Sequence, residues 1–167
     1  RAYAVNGTLG WTAKGLKAKP SIALQGDLFS GGSYHSSDGA VGTFATPYFP
    51  LPYYNDVTLA LTSQNLVGIG PVITAAPLAN LRLKLHVPVF WRESTQDAVY
   101  GTGKIYSWRN GLLGGFIGTT PQTQLAWNFA PHWTWTHDIA GFVASQGMHR
   151  AGAKDGAFYM QTMEFKF

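Results

Sequence analysis

Three features of the sequence predict an all-β protein whose antiparallel strands form a transmembrane β-barrel. Apolar and polar residues alternate with period two, links between the alternating stretches are short and long in turn, and aromatic residues gather near the stretch ends. Composition agrees: of 167 residues 46% are hydrophobic and 14% aromatic but only 12% charged, about half the share usual in a soluble domain. Twenty Gly and nine Pro suit strands and turns rather than a helical bundle. No run of eighteen apolar residues occurs, which excludes a transmembrane helix and leaves strands as the spanning elements. The absence of Cys removes disulfides and thiolate metal sites and fits an exported protein.

Taken in order, the first stretch, residues 3–14, sets Tyr3, Val5, Leu9, Trp11 and Ala13 against Asn6, Thr8, Thr12 and Lys14. In 19–27, Ile22 and Leu24 oppose Ser21, Gln25 and Asp27, and in 65–75, Val67, Ile69 and Ile73 share one face. The clearest stretch is 81–92, where Leu81, Leu83, Leu85, Val87 and Val89 face away from Arg82, Lys84, His86, Pro88, Phe90 and Arg92. In 117–129, Leu125, Trp127 and Phe129 oppose Gln122, Gln124 and Asn128; in 133–143, Trp133, Trp135, Ile139 and Val143 oppose Thr134, Thr136, Asp138 and Ala140. The last, 159–167, alternates Tyr159, Gln161, Met163, Phe165 and Phe167 with Met160, Thr162, Glu164 and Lys166.

That makes seven strands, joined by short links near 15–16, 77–80 and 130–131 and by long polar links over 30–63, 93–115 and 146–156. Short turns at one rim and long loops at the other describe a bacterial outer-membrane barrel, and aromatic girdles belong at its two interfaces. Single-chain bacterial barrels carry an even number of strands, and lipid tolerates no unpaired edge. Residues 1–167 are therefore read as one domain, the C-terminal part of a larger barrel whose earlier strands precede Arg1.

The candidate site is the basic inward face. Arg82, Lys84 and Arg92, joined by Lys19 and Lys166, are expected to line a lumen that attracts anions. Two roles stay open for Arg92: direct contact with a solute, or pairing with Glu93, Asp97 or a carboxylate on a neighbouring strand. Glu93 and Asp97, with Ser94, Thr95 and Gln96 between them, are expected to pin a loop. Asp27, Asp138 and Glu164 are inward and are expected to balance lumen cations. The loop 30–63, with Tyr34, His35, Phe44, Tyr48, Phe49, Tyr53 and Tyr54, is expected either to fold into the pore and stack on sugar rings or to form a compact surface loop packed by its own aromatics.

Enzymatic chemistry finds little support. The nearest pair of histidines, His132 and His137, is five residues apart and falls on opposite faces of a strand, which disfavours a metal site. There is no nucleophile elbow and no phosphate loop, so neither catalytic residues nor a cofactor are expected. A net charge of +4 without a basic cluster or recognition helix does not point to nucleic acid. A competing class is a periplasmic or surface all-β carbohydrate-binding or adhesin module, which requires the aliphatic face of 81–89 to be buried under a second sheet.

The segment FWRESTQDAVY (90–100), reached from the turn APLANL through an aliphatic strand, resembles the alginate export family of outer-membrane proteins. VGTFATPYFPLPYYND (41–56), SQNLVGIGP (63–71) and the ending KDGAFYMQTMEFKF add to the likeness, which runs from about Leu9 to Phe167. The resemblance implies a pore in the bacterial outer membrane with a basic lumen for passive passage of an alginate-like polyuronate or small anionic solutes. It implies as partners outer-membrane lipid, the anionic polysaccharide or small anions, and periplasmic secretion proteins. The chain departs from the family pattern at Gly68 and Gly70, which lack polar side chains, and at 108–115, which is more apolar than a solvated loop should be.

Overall fold

A computed structural model describes residues 1–34, 42–45 and 60–167 of the chain. Of the aromatics in the loop 30–63, His35, Tyr48, Phe49, Tyr53 and Tyr54 lie outside the described residues, as does most of 41–56. The alternating stretches form β1 (Ala4–Thr12), β2 (Ser21–Phe29), β3 (Leu66–Leu78), β4 (Leu81–His86) and β5 (Val89–Trp91), followed by a small separate hairpin of β6 (Val99–Gly101) and β7 (Lys104–Tyr106). The main sheet is completed by β8 (Phe116–Thr119), β9 (Gln122–Ala130), β10 (Trp133–Ala144) and β11 (Gly156–Phe165).

Every pairing is antiparallel. β4 and β5 lie end to end along β3, and β8 and β9 end to end along β10. Among the described residues the wall thus has the seven strand lengths expected from the sequence, in chain order from β1 to β11.

Proline causes both interruptions. Val87 and Pro88 part β4 from β5, and Thr120 and Pro121 part β9 from β8, because a prolyl nitrogen has no hydrogen to give the ladder. The breaks sit side by side: Pro88 O accepts from Thr120 N at 3.2 Å and from Thr119 Oγ1 at 2.7 Å. Gly70 passes directly beneath, and a Cβ there would stand 2.5 Å from Pro88 Cα and Val87 O. The missing side chain at Gly70 is therefore a condition of this crossing.

Short turns close one end. Ala79 and Asn80 join β3 to β4, and Pro131 and His132 join β9 to β10 with His132 in the left-handed region at φ 67°. The long links all emerge at the other end. One face of the sheet is apolar and open, with Leu9, Trp11, Ile22, Leu24, Ile73, Leu85, Ile139 and Met163 exposed. A continuous apolar face of this kind is untenable in water and fits a bilayer. Aromatics band it at both ends. Trp127, Phe129, Trp133 and Phe165 form a chain of ring contacts at 4.9 to 6.4 Å by the short turns, and Trp91 meets Phe116 at 5.8 Å by the loops. From Leu81 to Trp91 the strand runs roughly 33 Å at about 3.3 Å per residue, or about 25 Å in height at barrel tilt, which is the height of an outer membrane's apolar band.

The opposite face is polar in its lower part and hydrophobic where the loops begin. Phe29, Leu66, Phe90 and Phe142 project from the upper strand ends and pack with Val99 of β6, Leu112, Ile117 and Met148. Phe90, Ile117 and Met148 are fully buried. The β6–β7 hairpin, a single 3-10 turn at Trp108–Asn110 and the helix α1 (Gln146–Arg150), capped by Ser145 Oγ accepting from Met148 N, fold over this face. Leu112 accounts for part of the apolar character of 108–115, since it belongs to this core, while Trp108 and Leu113 stay exposed. Leu85 stays exposed, and among the described residues no second sheet covers the aliphatic face of 81–89. Among the described residues the sandwich required by the binding-module reading is not formed.

Candidate functional site

Antiparallel register lays the polar face out in rows that run across the strands. One row holds Val72, His86, Gln122, Ala140 and Phe158, and the next, towards the short turns, holds Thr74, Lys84, Gln124, Asp138 and Met160. Below it, Arg82 stands beside Ala126 and Thr136. Small neighbours leave the long side chains of Arg82 and Lys84 room to extend over the face, and both are exposed.

Lys19 joins them from the link between β1 and β2. Its backbone is left-handed at φ 42°, its N–H donates to Leu16 O at 2.9 Å, and Ala18 O accepts from Ala76 N at 2.7 Å, which ties the link to β3. Lys19, Arg82 and Lys84, with Thr74 and Gln124, line a hollow of about 360 Å³. Among the described residues, none of these three cations has a carboxylate within ion-pair distance. The one acid on the row of Lys84, Asp138, accepts from Gln124 Nε2 at 2.9 Å. Asp27, nearer the loops, accepts from Asn6 Nδ2 at 2.8 Å and Gln25 Nε2 at 3.1 Å. Amides, not cations, donate to both acids, which leaves the lysines and the arginine without a direct carboxylate contact among the described residues.

The remaining candidates lie elsewhere. Lys166 pairs with Glu164 at 3.4 Å beside the edge strand β11, away from the hollow. Arg92 sits at the loop end and is buried. Its Nη1 donates to Thr95 O at 3.0 Å and Asp97 O at 2.8 Å, and its Nη2 donates to Gly114 O. Burial draws the guanidinium pKa down and the nearby Asp97 charge opposes the shift. Arg92 thus binds backbone carbonyls of two loop segments, a third role beside the two left open by the sequence.

Glu93 and Asp97 reach the described ends of the loop 30–63. Glu93 accepts from Gly31 N and from Tyr3 OH, both at 2.9 Å. Asp97 accepts from Gly32 N at 2.8 Å, Thr43 Oγ1 at 2.5 Å, Tyr100 OH at 2.8 Å and Ala98 N at 2.8 Å. Burial raises the Asp97 pKa, but these four hydrogen bonds favour the carboxylate more and leave it below the ordinary Asp value. Tyr100 is pushed up to about 12 by burial and by its bond to the Asp97 carboxylate.

Asn65 completes the network and escaped the sequence reading. Fully buried and left-handed at φ 48°, it donates to Ser94 O at 3.0 Å and Ala98 O at 2.8 Å and accepts from Ser94 N at 2.7 Å. The available signal was an Asn just ahead of a strand, the residue type that tolerates this backbone.

The alginate export family model matches residues 1–160. No curated protein and no solved structure matches the chain. A match over nearly the whole length, on a wall with one apolar and one polar face, settles the assignment: this chain belongs to the alginate export family, a transport family of the Gram-negative outer membrane.

Proposed function

We propose that the polar face lines a water-filled passage through the outer membrane, and that the chain helps carry an anionic polysaccharide of the polyuronate type, or small anionic solutes, passively across it. The observation that supports this is the hollow shared by Lys19, Arg82 and Lys84, three exposed cations without a carboxylate partner among the described residues. Such a cluster lowers the electrostatic barrier to an anion at the wall, and the planar fork of Arg82 suits a carboxylate held by two parallel hydrogen bonds. The field needs no covalent chemistry and no bound cofactor.

Single-channel recording of the full-length protein in planar bilayers tests it. Wild type is expected to prefer anions and to be blocked by polyuronate, and Arg82→Glu/Lys84→Glu is expected to reverse the preference. A double variant with unchanged selectivity would remove these residues from the conduction path.

A further inference from the structure

A second hollow lies at the other end of the polar face, where the loops meet the wall. It measures about 410 Å³, within the range of small-molecule sites. Phe142 and Phe158 come from the inner side of β10 and β11, Tyr106 from the loop hairpin and Met148 from α1, and Lys104 and Lys154 also line it. Ala140, the row neighbour of Phe158, carries only a methyl group, and Phe158 keeps 36% of its surface exposed.

The two lysines are not spent on acids. Lys104 Nζ stands 4.9 Å from the Tyr106 ring centroid and donates to Gly152 O at 3.2 Å. The carboxylate next in sequence, Asp155, is turned to Ala144 N at 2.8 Å and to His149 at 3.3 Å. Among the described residues neither Lys104 nor Lys154 has an ion-pair partner.

Aromatic rings, a thioether and two uncompensated ammonium groups around one space define a particular ligand. An inorganic anion would leave the rings unused, and a wholly apolar molecule would leave the lysines without an acceptor. We infer that this hollow is a subsite for a ring-shaped monocarboxylate, its flatter apolar face against Phe158 and Tyr106 and its carboxylate between Lys104 and Lys154. This deepens the reading of the polar face as a passage for anions and rests on it. The site would hold a solute at the loop end of the face, above the cations of the lower hollow. Two sources share this chemistry, a uronic sugar and an arene carboxylate.

The test measures binding of D-galacturonate and of benzoate to the full-length protein in detergent micelles by calorimetry. It is done in the Arg82→Glu/Lys84→Glu background, so that the lower hollow does not contribute. At least one of the two probes is expected to bind saturably, and to lose roughly tenfold or more in affinity in Lys104→Gln/Lys154→Gln and in Phe158→Ala. Binding of galacturonate alone assigns the site to sugar acids, and binding of benzoate alone to arene carboxylates. Lys154→Gln by itself, a change at an exposed side chain, is expected to weaken binding in the same direction and guards against a misfolded double variant. Acetate competing as well as the ring compounds, D-galactose binding as well as D-galacturonate, or unchanged affinity in the lysine variants would overturn the subsite. Bilayer selectivity of the same preparations reports separately on the passage itself, so its failure and the subsite's failure are distinguishable.

Discussion

Arg92 occupies a position that parity alone makes look like Arg82 and Lys84. All three fall on the same side of one strand, yet only the lower two meet open space, because the loops fold over the upper wall and take the Arg92 fork as a clasp. Alternation reads direction from the pleat and carries no information about what lies above the residue. Gly70 teaches the converse lesson: a position that looked like a lost polar side chain is empty because Pro88 crosses it. Arg92→Ala is expected to lower unfolding stability by about 3 kcal/mol, since it strips charged donors from buried carbonyls. Urea titration in phospholipid vesicles measures it, and a loss under about 0.5 kcal/mol would show that the clasp is dispensable.

Among the elements, the wall strands were legible from sequence and the loop elements were not. Strands such as β4 and β9 announce themselves through Leu81, Leu83 and Leu85 against Arg82 and Lys84, or Leu125 and Trp127 against Gln122 and Gln124. The three-residue strands β6 and β7 and the five-residue α1 are too short for any period to repeat, and they exist through their shared core of Val99, Leu112 and Met148. What the sequence did offer in this region was the acid pair Glu93 and Asp97. Because the Asp97 pKa is lowered in the folded protein, its stabilising contribution is present above the ordinary carboxylate value and is lost as pH falls through the lowered one. The thermal midpoint of the loop region, followed by intrinsic fluorescence, is expected to fall with acidification below the ordinary value of 3.8, and Asp97→Asn is expected to remove that dependence at the cost of a lower midpoint at pH 7. At the alkaline end the sign reverses. Tyr100, raised to about 12, contributes stability below its ordinary 10.0 that is lost as pH climbs through its folded value.

Over the whole molecule, two faces with opposite preferences decide the environment. A cation placed on the apolar face meets lipid, whereas one placed across the pleat meets water. Leu85→Arg is expected to cost about 2 to 4 kcal/mol in bilayer unfolding measurements, and Gln124→Arg under about 1 kcal/mol. Equal costs would mean that the two faces do not differ in solvent. The neighbouring interruptions at Pro88 and Pro121 give this wall a mechanical character as well. A ladder broken at the same height in two adjacent strands is softest there, and the unbroken β3 and β10 on either side splint it. The softness is therefore confined to a patch of two strands beneath the loops, and below it β4 and β9 pair without a break from Leu81 to His86 and hold their register.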